Sequence, residues 1–175
     1  MRPASCFEMG EKPMSSHGIL PGQESVWDYP RPAVAEACHC HLVISHGGVT
    51  LAETRNGVRT LETSHPPSYY FPRDDIAMDR LEMSSRRSLC EWKGQASYFH
   101  VRIGGTVFQD VGWSYSSPTP AFTVLKDHIA FYAAPFDNCW VDGDKVIPQP
   151  GNFYGGWITP RVIGPFKGAP GSMLW

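Results

Sequence analysis

Cys90 and Lys93 stand three residues apart in "CEWKG", and Glu62 and His65 stand three apart in "LETSHPP". These are the residue types that move protons and stabilise charge. A lysine beside a thiol stabilises the thiolate and lowers its pKa. A lysine buried in apolar surroundings sheds its proton and becomes an amine for Schiff-base or proton-transfer work. Histidine both accepts and donates protons near pH 7, so His65 is the better general base on intrinsic pKa, with Glu62 the other acid–base candidate. The competing structural account leaves Cys90 as a small buried hydrophobe and lets Lys93 reach solvent along Trp92.

Other stretches invite chemistry and support it less. In "CHCH" a strand points Cys38 and Cys40 one way and His39 and His41 the other, so the run offers two zinc ligands at most, and no CxxC pair stands elsewhere. "GNFYGGW" is no phosphate loop, and "GWS" at Gly112–Ser114 lacks the rest of a hydrolase elbow. "VDGDK" pairs Asp142 with Asp144 around a glycine, which makes it a hairpin turn first and a cation site second. No dinucleotide fingerprint or resolving CxxC favours redox catalysis, so neither a metal nor a cofactor is expected.

Composition narrows the partner. With 42% hydrophobic and 18% charged residues the chain is globular, and 175 residues bury roughly 70% of the unfolded surface. A net charge of −2 argues against nucleic acid or an acidic membrane surface, and the Arg86–Arg87 pair is too small to change that. No export signal or membrane-spanning run stands out, so a cytoplasmic protein with reduced thiols is expected of the five cysteines, Cys6, Cys38, Cys40, Cys90 and Cys139. Six tryptophans need a large core or a surface that stacks on something, whereas oligomeric state leaves no trace in the sequence.

The elements that must position these groups are short. Seventeen glycines and 16 prolines favour many turns over long helices. Residues 1–23 read as a flexible tail and 24–175 as one β-rich domain, onto which "ESVWDYPRP" docks Trp27 and Tyr29. "HLVISHGGVTLAET" predicts a hairpin around Gly47–Gly48, and "GVRTLET" a further strand. "SHPPSYYFP" reads as a proline-bounded loop, and "RDDIAMDRLEMSSR" is the best helix candidate, through Ile76, Met78, Leu81 and Met83. Phe99, Val101 and Ile103 alternate with Tyr98, His100 and Arg102 before a turn at Gly104–Gly105, after which Val111, Trp113 and Tyr115 share a face. "AFTVLKDHIAFYAAPF" suggests a short helix leading into a strand at Ile129–Tyr132, and "CWVDGDKVIPQP" a hairpin about Asp142–Gly143. The glycine-proline-aromatic C-terminal part is irregular. The expected fold is mainly β: short antiparallel strands and hairpins in a compact domain, with one or two short helices.

"ESVWDYPRP", "LETSHPPSYYFP", "CEWKGQASY", "GWSYSSPTP", "IAFY" and "NFYGGWIT…GPFKGAPG" together resemble the family known as domain of unknown function 427, in collinear order over residues 24–175. The resemblance implies a small β-rich fold in a family grouped with nucleotidyltransferase-like proteins by label, with no assigned activity. The family's Cys-x-aromatic-Lys-Gly pattern falls on Cys90, Trp92, Lys93 and Gly94, with Glu91 where proline is commoner. Its other blocks fall on His65, Pro66, Tyr70 and Pro72, and on Trp113 and Tyr115; "CHCH" lies outside them. The transferase label does not suit the residues, because that chemistry needs a Gly-Ser turn ahead of paired carboxylates.

A small-molecule site walled by Tyr70, Trp92, Trp113, Tyr115 and Trp157 is therefore expected, with Lys93, Cys90, Glu62 and His65 as its polar groups. As an enzyme it suits cofactor-free acid–base chemistry: isomerisation, cyclisation, dehydration or hydrolysis of a modest organic substrate. The alternative is a non-catalytic module holding a planar or cationic ligand in an aromatic cage. A third account makes the proline-aromatic C-terminus a protein contact surface.

Overall fold

The computed structural model describes residues 18–175. The tail assigned to residues 1–23 thus lies mostly outside the described residues. A two-residue strand β1 (Glu24–Ser25) precedes β2 (Val34–Cys38), β3 (Leu42–His46), β4 (Val49–Thr54), β5 (Gly57–Glu62) and β6 (His65–Pro72). Then follow β7 (Leu81–Cys90), β8 (Gly94–Ile103), β9 (Thr106–Ser114), β10 (His128–Phe131) and β11 (Asn138–Val141). Four two-residue strands complete the set: β12 (Asp144–Lys145), β13 (Ile147–Pro148), β14 (Trp157–Ile158) and β15 (Val162–Ile163). Among the described residues the only helical turns are 3-10 segments, the longest being Pro120–Leu125. The mainly-β expectation holds.

The strands form an antiparallel seven-stranded sheet, ordered β2-β5-β6-β10-β9-β8-β7, and a four-stranded sheet, β12-β11-β3-β4. Three tight turns set much of this connectivity. Gly47–Gly48, Gly104–Gly105 and Asp142–Gly143 each carry positive φ at both central residues, the twist that matches two antiparallel strands.

Alternation along the strands gives the large sheet two apolar faces. Tyr69 and Phe71 of β6, Phe99, Val101 and Ile103 of β8, and Ile129 and Phe131 of β10 point into the main core, shared with Leu42, Ile44 and Leu51 of the smaller sheet. Their neighbours Tyr70, Ala96, Tyr98 and Ala130 point the other way, into a second cluster with Val58, Trp113, Tyr115, Phe122 and Leu125. The 3-10 segment carrying Phe122 and Leu125 packs against β2 and closes part of this second face.

Several local expectations change. The helix candidate forms two three-residue 3-10 turns, Arg73–Asp75 and Met78–Arg80, and then β7. Tertiary contacts override its partial helical spacing: Ile76 bridges Ala52, and the Ala77 N–H donates to the Leu51 carbonyl at 2.8 Å. The stretch expected as a proline-bounded loop is β6. Pro66 and Pro67 fit there because the β5–β6 ladder slips between Thr60 and Glu62, where a missing N–H breaks no regular pairing. Val111 lies in the main core while Trp113 and Tyr115 lie in the second cluster. A slip in the β8–β9 ladder, with Asp110 at φ 55, breaks the alternation beside Val111.

Candidate functional site

The second face of the large sheet holds a cavity of about 410 Å³. Its floor follows from the same parity: Thr60 and Glu62 of β5, Pro66, Ser68 and Tyr70 of β6, Ser88 and Cys90 of β7, Tyr98 of β8, Trp113 of β9, and Tyr115 just past the end of β9. The fold thus brings to one cavity Lys93, Cys90, Glu62, His65, Trp92, Tyr70, Trp113 and Tyr115. Trp157 is elsewhere. It is fully buried in the main core against Tyr69 and Phe71, and its indole N–H donates to the Phe131 carbonyl at 3.0 Å. Its place on β14, rather than in the preceding glycine loop, turns it away from the cavity.

The turn "CEWKG" joins β7 to β8, with Cys90 paired opposite Gly94. Gly94 takes φ 100, which a side chain would disfavour. Thr119 pins the turn twice: its N–H donates to the Lys93 carbonyl at 3.1 Å and its hydroxyl to the Trp92 carbonyl at 2.6 Å. Trp92 lies over the cavity, and its indole N–H donates to Glu62 Oε1 at 3.3 Å. Arg31 approaches the same Oε1 at 3.6 Å.

Lys93 is partly buried, with its Nζ 5.6 Å from the centre of the Phe122 ring. Among the described residues no carboxylate oxygen lies within 4.0 Å of that nitrogen. Burial opposes its charge, but Tyr70, Cys90 and Glu62 outweigh it and hold the ammonium pKa above the ordinary lysine value. That direction favours the ammonium form of Lys93 over the neutral amine.

The phenols around it stay protonated. Burial raises Tyr70, which accepts from the Trp113 indole N–H at 3.4 Å. Burial likewise raises Tyr115, with Tyr70 and Cys90 adding to the shift. Tyr132 is pushed up to about 12, mainly by burial, and its hydroxyl donates to the Phe153 carbonyl at 3.1 Å. The Trp113 and Tyr132 rings lie 4.7 Å apart and form one aromatic wall.

His65 departs most from expectation. Its Nδ1 lies 3.0 Å from Gln149 Nε2, and its ring meets Tyr154 edge-on at 4.7 Å. Burial first, then Lys167, Arg31 and Lys93, draw its pKa down to about 4 against the opposing pull of Glu62.

Sequence reasoning missed Tyr98, Tyr132, Gln149, Phe153, Tyr154 and Lys167, which also line the cavity. Parity with Ala96 and Ala130 could have found the first two. The others come from an irregular segment with no period to read.

The "CHCH" run lies apart from the cavity. Cys38 is buried in the main core, and burial, with Cys38 and Asp142 nearby, pushes the Cys40 thiol up to about 12. Among the described residues no helix is long and apolar enough to cross a membrane. Residues 34–142 match the family described as domain of unknown function (DUF427). No curated protein matches the chain.

Proposed function

The chain belongs to this family, and from that premise we propose that the cavity takes a small organic acid or carbonyl compound and transforms it by acid–base chemistry carried out by its own side chains. The observation that carries this reading is the position of Lys93, partly buried with its Nζ 5.6 Å from the centre of the Phe122 ring and with no carboxylate within ion-pair distance among the described residues. A cation held out of water is stabilised by a counter-charge, and an oxyanion on a bound molecule would supply one.

The chemistry follows. Glu62 has Oε1 engaged by Trp92 and Arg31, which leaves Oε2 without a partner among the described residues. It would take a proton from carbon next to a carbonyl; the electron pair moves into the carbonyl, and Lys93 stabilises the resulting enolate oxygen. Returning the proton to a different carbon gives isomerisation, and expelling a leaving group gives elimination. The protonated phenols of Tyr70 and Tyr115 are further donors to the same oxygen, and Cys90 packs beside them.

The Trp92 hydrogen bond to Glu62 and the Arg31 guanidinium beside it favour a second reading, a binding module in which Glu62 secures the wall and moves no proton. One experiment separates the two. A metabolite extract from the native host is incubated with catalytic amounts of wild-type protein or of Lys93→Met, and followed by untargeted mass spectrometry. Loss of one compound far beyond the protein present, with wild type only, supports the enzyme. A compound retained one-to-one on the purified protein without turnover sinks the catalytic reading and leaves the module.

A further inference from the structure

Gln149 is a buried side chain with every polar atom engaged. The Gly156 N–H donates to its Oε1 at 3.0 Å, and its Nε2 donates to the Lys167 carbonyl at 2.8 Å. A backbone N–H can only donate and a backbone carbonyl can only accept, so these two contacts fix which end of the amide is which. The second hydrogen on Nε2 is then directed at His65 Nδ1, 3.0 Å away. That nitrogen must present a lone pair, so the single ring proton of the neutral imidazole sits on Nε2. Protonating Nδ1 as well would set N–H against N–H inside a partly buried site. The edge contact with Tyr154 holds the ring in place, and Nε2 has no partner among the described residues.

We propose that His65 is a neutral Nε2–H donor to an oxygen of the bound molecule, and that Gln149 is the positioning residue that keeps it in this state. The inference rests on the reading that the cavity takes a small molecule. It also narrows the class of that molecule. A fixed N–H donor from His65 and an ammonium from Lys93 favour carboxylates and carbonyl compounds and disfavour amines. His65 lies within residues 34–142, whereas Gln149 and Lys167 lie beyond them, so the groups that position the imidazole come from chain outside the family match.

Nitrogen-15 NMR of histidine-labelled protein reads the imidazole state directly, with His65 assigned by the signal lost in His65→Phe. In wild type the expected result is the Nε2–H tautomer with no titration between about pH 5 and pH 8. An Nδ1–H tautomer, or a titration near the ordinary histidine value, overturns the proposal. In Gln149→Glu a carboxylate replaces the donor, so Nδ1 should gain a proton and the ring should titrate within that range. A ring in Gln149→Glu that behaves as wild type also overturns it; if this variant does not fold, the wild-type measurement decides alone.

The ligand class is tested with benzoate and benzylammonium at millimolar concentration. Benzoate should shift the His65 Nε2–H signal and benzylammonium should leave it unmoved; the reverse pattern, or no response to benzoate, overturns the assignment. Absence of turnover in the metabolite experiment would sink the catalytic reading and leave this result standing. A titrating His65 would do the opposite.

Discussion

The indole of Trp92 reaches Glu62 across the face of the large sheet, although β6, β10 and β9 lie between β5 and β8. Four strand spacings of about 4.8 Å would hold those strands about 19 Å apart in a flat sheet, more than the two side chains can bridge. The sheet therefore curls around the cavity, and the bond closes its roof. Trp92→Phe should weaken folding by about 0.5–1.5 kcal/mol, the usual net contribution of one hydrogen bond. Urea unfolding of Trp92→Phe, Glu62→Leu and the double variant tests this. Losses that simply add would show that the two residues do not interact.

Gly155 makes the roof's counterpart possible on the opposite wall. A Cβ there would lie 2.2 Å from Trp113 Cη2, and Trp113 cannot retreat because it is buried between Tyr132 and the Tyr70 hydroxyl. Gly155→Ala should lower stability by about 1–3 kcal/mol and shift the tryptophan fluorescence. Gly18→Ala, with nothing within 4 Å of its added carbon, is the control. Equal melting temperatures for the two variants would contradict the crowding argument.

Stability should also depend on pH through His65. Its folded pKa of about 4 lies below the unfolded value of 6.5, so between these values the unfolded chain binds more protons. The contribution is fully present above about pH 6.5 and is lost as pH falls towards 4, by on the order of 3 kcal/mol at most. The difference in melting temperature between wild type and His65→Gln isolates this term from the other histidines. A difference that stays constant from pH 7 to pH 4 would rule the linkage out.

Much of the cavity could be read from parity. Val58, Thr60 and Glu62 alternate, and so do Ser68 with Tyr70 and Ser88 with Cys90, which is why Glu62, Tyr70, Cys90 and Trp113 converge once the strands pair. Two proline residues hid part of this pattern, because only the slipped ladder opposite Thr60–Glu62 makes "SHPPSYYFP" a strand. The role of Gln149 was not legible. It depends on Gly156, Lys167 and His65 meeting at one amide, and their separations along the chain carry no period. Trp157 misled for a related reason: a tryptophan beside two glycines signals a close approach but not which face it serves.

Arg59 links the cavity's far wall to the edge of the sheet. From β5 its guanidinium contacts Glu36 of β2 at 2.7 Å and also grips Glu24 of β1, and β1 pairs in parallel with β15 of the C-terminal segment. Burial opposes its charge, but the hydrogen bonds to both carboxylates outweigh it and raise its pKa, so the clamp persists at any pH at which those acids are ionised. Because the carboxylates are partly exposed, Arg59→Met should lower stability by only about 1–2 kcal/mol. The larger effect is expected locally, as faster backbone hydrogen exchange at Glu24 and Val26, whose N–H groups donate to the Arg161 and Ile163 carbonyls and hold the two segments together. Arg59→Lys should recover little of it, since an ammonium cannot span both partners as a planar fork does. Exchange in Arg59→Lys as slow as in wild type would show that charge alone, and not the shape of the guanidinium, anchors this edge.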